Sequence, residues 1–331
     1  MLITLCLILL AGVVGLSATF GWMWASEART PSLACLMYHR FVTTEQYAAL
    51  HGTERIYSLP ADRFEAQLRW LRDRGYHAVT MADAVAFAAG QRDLPQPAVL
   101  ITIDDGCRSV LTLAAPLLEK YAMRATLFVT TDPSAYVFDR HRPDQSRLSD
   151  DELRALRPDL IEIAAHGATH RPLSDLSDAD LTAELAGPRA ILESLTGRPV
   201  TFFACPGGWY DDRVLRAAEK AGYTGACVSD TGAVRPGADP MRLRRINVAG
   251  NVDAKRLEEL LSPFGIARIR FKKACKQIPG RILGPRLWMP IRNVLRGAST
   301  HLTPILLLLV TIVGGFIIAR ARSAPWSGGS S

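Results

Sequence analysis

Nine residues constrain this chain most: Ala98 to Gly106, reading Ala-Val-Leu-Ile-Thr-Ile-Asp-Asp-Gly. Pro97 precedes an apolar run that has the length and composition of a buried strand. Two carboxylates, Asp104 and Asp105, stand at its C-terminal end, and Gly106 lets the chain turn away. Ligands collect at that end of strands in parallel α/β folds. Two like charges so close disfavour joint ionisation unless a cation sits between them or one is protonated. The pair therefore asks for a partner. A plainer reading is a strand-to-helix turn in which an Asp caps the following helix.

The surrounding pattern predicts the sheet. Leu33 to Met37 reads as a strand leading into Tyr38-His39-Arg40. Ala61 to Arg74 carries Phe64, Leu68 and Leu71 at helical spacing, with Gly75 as its stop. His77 to Thr80 reads as a short strand, and Met81 to Ala89 as a helix ending at Gly90. A helix through Leu118 and strands over 125–129, 160–165 and 201–204 follow, with helices over 178–195 and 212–221. Strands alternating with helices imply a parallel sheet or barrel. No internal repeat is visible.

The ends differ from the middle. Residues 2–25 carry no charged side chain and are long enough to span a bilayer. A secretory signal would have a basic start and a shorter apolar core, so an uncleaved anchor is expected. Residues 302–319 form a second apolar run of spanning length, followed by Arg320 and Arg322 in a tail over 320–331. Between the globular part, 33–262, and that run lies a segment over 263–300. From Phe264 to Thr300 it holds nine Lys or Arg and no Asp or Glu. Bases there alternate with Ile266, Ile269, Phe271 and Trp288, which suits a segment lying on anionic lipid; a solvated linker is the alternative.

That segment also explains the net charge of +7. Without its nine bases the chain has 39 − 9 = 30 basic against 32 acidic residues. Composition thus gives the globular part no argument for nucleic acid. Charges flanking the two spans lean toward a cytoplasmic middle region in an integral inner-membrane protein. The six cysteines show no Cys-x-x-Cys spacing, which speaks against a zinc ribbon or a thioredoxin-like motif.

Three further stretches fall at expected strand ends. His166-Gly167-Ala168-Thr169-His170 places two imidazoles four apart, on a turn or on the first turn of a helix. Neutral imidazole is the commonest metal ligand. With a carboxylate from another strand, Asp105, His166 and His170 make a two-histidine, one-carboxylate set with open positions, which suits catalytic zinc or another divalent metal. Phe203-Ala204-Cys205-Pro206-Gly207-Gly208 ends a strand in a turn whose amide N–H can serve an oxyanion. Met37-Tyr38-His39 brings a third histidine.

In this order and spacing the motifs resemble the polysaccharide deacetylase, or NodB-homology, family (carbohydrate esterase family 4). The likeness covers about Leu33 to Leu261. Arg63 to Ala84, around Gly75-Tyr76, is similar to the membrane-associated, biofilm-polysaccharide branch that begins with a Tyr-His strand. The resemblance implies a distorted (β/α) barrel, here flanked by two transmembrane helices. It also implies a metal-dependent hydrolase that removes N-acetyl groups from amino sugars of a cell-envelope or exopolysaccharide glycan. Carried over by position, Asp104 is the general base, and Asp105, His166 and His170 hold the metal. His39 is the acid and the Gly207 N–H the oxyanion donor. The family's arginine partner of the base is absent, because Ala204 stands in its place; Arg245 is the candidate substitute. Most relatives work outside the cytosol, against the charge bias. Cys35, Cys107 and Cys205 lie on or beside the motif stretches, and free thiols near a metal suit a reducing compartment. Two alternatives stay open: a deacetylase or deformylase of a lipid-linked amino sugar, and a catalytically degenerate membrane partner of the polysaccharide synthesis machinery.

Overall fold

The computed structural model describes residues 2–135 and 143–275, with the side chains of 2–9, 11, 135 and 143 left out of the description. The chain divides into two units: residues 29–262, and the two ends, 1–28 with 263–331.

In the larger unit the strands are β1 (Leu33–Tyr38), β2 (Arg40–Val42), β3 (Ser58–Pro60), β4 (His77–Ala78), β5 (Ala98–Ile103), β6 (Ala125–Val129), β7 (Ile161–Ala165), β8 (Phe202–Ala204), β9 (Gly225–Cys227) and β10 (Ile246–Asn247). Eight of them form one parallel sheet in the order β10-β1-β5-β6-β7-β8-β9, with β4 also on β5. A parallel pair, β2 and β3, stands apart. Leu243 bridges Cys227 of β9, and three residues later β10 pairs with β1. One stretch, 243–247, thus joins both ends of the strand order. This is the parallel α/β architecture that the alternation of elements implies.

The helices are α1 (Leu2–Glu27), α2 (Thr44–Ala49), α3 (Gly52–Tyr57), α4 (Ala61–Asp73), α5 (Met81–Ala88), α6 (Ala115–Lys120), α7 (Asp150–Ala155), α8 (Asp178–Thr196), α9 (Asp212–Lys220) and α10 (Ala254–Leu261). Helix α4 buries Phe64, Gln67, Leu68 and Leu71, the stripe its spacing predicts plus one amide. Helix α5 opens on a capping box, Thr80 with Asp83. Helix α8 starts at Ser177 and stops at Gly197, whose φ of +66° suits a residue without Cβ. The strand expected over 77–80 is only two residues long, because Thr80 already caps α5.

Strand β5 is buried along its whole length, as expected of a strand covered on both faces. Its register pairs Leu100 with Cys35 and Thr102 with Met37. Side chains alternate across a strand, so Leu100, Thr102 and Asp104 share one face. The lower part of that face is apolar: Cys35, Leu100, Phe128, Ala164, Phe202, Cys227 and Leu243 pack with Met81, Phe87 and Ala88 of α5. Polar groups begin above it. At the edge, the Tyr38 hydroxyl donates to Gln67 Oε1 (2.9 Å), and Gln67 Nε2 donates to the Val252 carbonyl (2.7 Å). This buried relay ties β1 to α4 and to the chain after β10.

In the smaller unit, α1 packs beside residues 263–275, which are helical. The Phe20 ring meets Phe264 and Phe271 edge-on, each at 5.5 Å between centroids. Glu27 is buried and pairs with Arg270. Among the described residues no helix is long and apolar enough to cross a membrane. That statement leaves out the side chains of residues 1–9 and 11, part of the apolar start of α1. The expected span over 302–319, the tail over 320–331 and the basic segment beyond residue 275 lie outside the described residues.

Gln67→Leu should expose what the relay contributes. It leaves a buried hydroxyl and a buried carbonyl without partners, at a cost of about 1–3 kcal/mol for each. Chemical denaturation should show a lower midpoint with activity retained below it; an unchanged midpoint would mean that the relay is dispensable.

Candidate active site

The carboxylates are separated by backbone conformation. Asp104 ends the extended run and donates its N–H to the Tyr38 carbonyl (2.9 Å). Asp105 and Gly106 then adopt φ of +78° and +80°. A non-glycine residue in the left-handed region is costly and clusters at functional sites. At Gly106 the conformation needs glycine, and an added Cβ would also crowd Val129 Cγ1 at 3.2 Å. The turn leads the chain off the sheet while both acidic side chains stay in the cavity.

Asp104 is held by Arg245. The guanidinium donates from Nη1 to Oδ1 (2.7 Å) and from Nη2 to Oδ2 (2.9 Å), a bidentate pair. Its remaining donors reach Thr102 Oγ1 (3.2 Å) and the Val228 carbonyl (3.3 Å). Both residues are buried. Burial acts to raise the Asp104 carboxyl, but Arg245, with His166 and His39, outweighs it and holds the group at about 2. Arg245, the candidate substitute, thus stands directly against Asp104.

Asp105 has no such partner. Its Oδ1 lies 3.5 Å from His166 Nε2 and 3.3 Å from His170 Nε2, and it is buried without a hydrogen bond. The His166 ring is fixed by its Nδ1, 2.9 Å from the Ala204 carbonyl. That contact makes Nδ1 the protonated nitrogen and leaves Nε2 as a lone-pair donor. Burial pushes His166 down to about 4, so the imidazole is neutral. Burial acts the same way on His170, but the Asp105 carboxylate outweighs it and raises that group. Among the described residues these three are the one set of His, Cys, Asp or Glu side chains placed to share an ion, with donor atoms within 4.8 Å of one another. A buried carboxylate facing the His166 lone pair and the His170 ring is a donor set that a divalent cation fits.

Of the two forms expected for the histidine stretch, the structure shows the non-helical one. It is a loop, not the first turn of a helix: His170 has φ +57° and Gly167 +76°. The loop is pinned by a residue the motifs did not point to. Glu184 of α8 accepts the N–H groups of Ala168 (2.8 Å) and Thr169 (3.0 Å). A signal was present in the sequence, since Glu184 falls on the buried stripe Leu181, Leu185, Pro188, Leu192 of its helix.

The cavity, of about 280 Å³, is lined by His39, Asp104, Asp105, His166, His170 and Gly207, joined by Tyr57 and Glu54 of α3. The His39 ring packs against Tyr57 at 4.6 Å between centroids. Burial lowers its pKa, opposed by Asp105 and Asp104. Gly207 has φ +60°, and a Cβ there would strike Trp209 Cδ1 at 2.8 Å. Short-range patterns gave no sign of Tyr57 or Glu54.

The thiols are placed differently from the expectation that they cluster at the metal. Cys35 packs in the apolar face, and Cys107 accepts from Ser109 Oγ (3.1 Å). Only Cys205 lines the cavity, and burial pushes it up to about 12. It stands outside the Asp105, His166 and His170 set.

Comparison with known proteins agrees with this geometry. Residues 91–226 match the family model described as polysaccharide deacetylase. YxkH of Bacillus subtilis (strain 168), whose name assigns it to the polysaccharide deacetylases, is 26% identical over 226 residues, 68% of this chain and 75% of that protein. A poly-beta-1,6-N-acetyl-D-glucosamine N-deacetylase of Staphylococcus aureus (strain MSSA476) is 24% identical over 235 residues, 66% of this chain and 79% of that one. The structure of the Streptococcus pyogenes deacetylase PplD, in complex with acetate, superposes with a TM-score of 0.61 at 20% identity, over 70% of this chain and 99% of that one, which shows a shared fold. Residues 91–226 of this chain thus carry the sequence features of a polysaccharide deacetylase domain, and the curated relatives that match more of it bear the same name.

Proposed function

We propose that the chain is a metal-dependent hydrolase that removes N-acetyl groups from the amino sugars of a cell-envelope or exopolysaccharide glycan. One observation carries this reading: a carboxylate held ionised by a buried arginine stands beside a separate Asp-His-His donor set in one cavity. The names of the relatives supply the substrate class. Asp105, His166 and His170 are the residues that would hold the ion. A divalent cation bound there, zinc by the donor set, supplies Lewis acidity to a carbonyl oxygen and acidity to water.

The chain's own residues do the rest. Asp104 is the general base that takes a proton from the attacking water. Arg245 fixes the direction of that carboxylate and keeps it charged. The Gly207 N–H donates to the oxygen on which negative charge develops. His39 gives a proton to the sugar nitrogen as the carbon–nitrogen bond breaks. The proton taken by Asp104 balances the one given by His39, and the products are acetate and an amine.

The absence of the family's usual arginine, which motivated a degenerate partner protein, loses its force with Arg245 in bidentate contact with Asp104. A membrane location is part of the proposal. Helix α1 has 26 residues, and Leu10, Val13, Val14, Trp22 and Trp24 are exposed on it. Apolar surface of that kind needs a cover, and lipid with tryptophans near its boundary provides one. An anchored enzyme also favours a second substrate reading, a lipid-linked amino sugar. The side of the membrane follows from topology mapping.

The test is acetate release by the purified full chain, loaded with zinc, from poly-N-acetylglucosamine oligomers and from a lipid-linked N-acetylglucosamine. Release from the oligomers supports the first substrate, release from the lipid alone the second, and release from neither, with zinc bound, contradicts the hydrolase. Asp104→Asn should lower kcat by about 10²–10⁴-fold and leave zinc content at wild-type level. His166→Ala should lose the zinc itself, read by elemental analysis. Equal zinc in both variants with full turnover would overturn the assignment.

Arg245→Gln tests the base. Burial raises the Asp104 carboxyl and the guanidinium lowers it, so removing the guanidinium moves the pKa up from about 2. The acid limb of kcat/KM should move to higher pH, and kcat should fall by about 10²-fold through lost orientation. An acid limb at the wild-type position would show that Arg245 does not tune the base.

A further inference from the structure

The two histidines of the Asp105, His166, His170 set are carried by a loop whose conformation is unfavourable on its own. Gly167 and His170 both lie in the left-handed region, at φ +76° and +57°. The loop has no helical turn of its own, yet both Nε2 atoms converge on Asp105 Oδ1. Its backbone is gripped from two sides. The N–H groups of Thr131 and Asp132 donate to the carbonyls of Gly167 (3.2 Å) and Ala168 (2.9 Å). On the other side stands Glu184, with 3% of its surface exposed.

Glu184 uses both oxygens on the loop. Oε2 accepts the N–H groups of Ala168 (2.8 Å) and Thr169 (3.0 Å), while Oε1 accepts the Thr169 hydroxyl. Arg171 completes the cluster, donating from Nε to Thr169 Oγ1 (3.1 Å) with Nη2 3.5 Å from Oε1. Gly167 leaves the space: a Cβ there would lie 3.3 Å from Glu184 Oε2. A buried carboxylate on an otherwise apolar helix stripe is costly unless its hydrogen bonds are satisfied. Here they are satisfied by the residues between the two histidines.

We propose that Glu184 is a positioning residue for the metal ligands. Its carboxylate holds the 167–170 backbone so that His166 and His170 converge on Asp105 before any ion arrives. The inference rests on reading Asp105, His166 and His170 as a metal site. It assigns to Glu184 a share of metal affinity, carried through the backbone rather than by contact with the ion. Glutamine at this position keeps an oxygen for the two N–H groups and offers its NH₂ to the threonine oxygen. Alanine orphans both N–H groups, and aspartate is a methylene too short to reach them.

The test uses full-length protein stripped of metal by a chelator and titrated with Zn²⁺ in competition with a chromophoric chelator. Zinc Kd should rise about 10–100-fold in Glu184→Ala and Glu184→Asp and stay within about threefold of wild type in Glu184→Gln. Hydrogen exchange at residues 167–170 of the metal-free protein should accelerate in Ala and Asp and stay slow in Gln. Leu185→Ala, on the same buried stripe but off the loop, should lower thermal stability without moving zinc Kd. A wild-type Kd in both Glu184→Asp and Glu184→Ala overturns the proposal. So does an equal loss in Leu185→Ala, which would mark the effect as general destabilisation. His166→Ala separates the two levels: if it still binds zinc, the metal reading fails and takes this inference with it. If it loses zinc while the Glu184 variants keep theirs, only the role of Glu184 fails.

Discussion

Two buried carboxylates side by side on one chain are the constraint from which the rest follows. Asp104 and Asp105 are each 2% exposed, and neither can be ionised there without positive charge close by. The fold answers each differently. Asp104 receives a permanent cation from the chain, the guanidinium of Arg245, in a planar two-bond contact. Asp105 receives two imidazoles, at 3.5 and 3.3 Å, of which the more buried, His166, is held neutral. One carboxylate is thereby held ionised by the chain and the other is left beside two imidazoles, the division on which the proposed mechanism rests.

That division depends on how the sheet is joined. Arg245 sits between Leu243, which bridges β9, and β10, which pairs with β1. The stretch that links the two ends of the strand order thus also delivers the guanidinium. Alternation along β5 puts Asp104 on the face that Arg245 enters, and the left-handed turn at Asp105-Gly106 keeps the next carboxylate in the same cavity. Removing one member of a buried ion pair typically costs several kcal/mol, because the other is left uncompensated. Arg245 therefore serves fold and chemistry together, and its variants are best judged by pH dependence rather than by loss of activity alone.

Much of this was legible in the sequence, and the reasons are local. Strand β5 and helix α4 announce themselves through an apolar run and helical spacing. The Asp-Asp and His-x-x-x-His motifs each fit within five residues, so their chemistry shows in a linear reading. Contacts of long sequence separation were harder. Arg245 is 141 residues from Asp104 and is named only because an arginine is missing beside Ala204. Tyr57 and Glu54 reach the cavity because β2 and β3 pair locally, and three-residue strands carry no readable period. Glu184 did leave a trace, as a charge on a buried stripe, but its partner loop lies a full element away.

The account stands on one divalent ion bound at Asp105, His166 and His170, with Asp104 left to Arg245. The most direct measurement is a crystal structure of the zinc-loaded protein with anomalous scattering recorded across the zinc edge. The account predicts a single strong peak at bonding distance from an Asp105 carboxylate oxygen and from Nε2 of both histidines, with the Arg245–Asp104 pair intact. A peak seated elsewhere, or a zinc-loaded crystal with no peak at these three side chains, would contradict it.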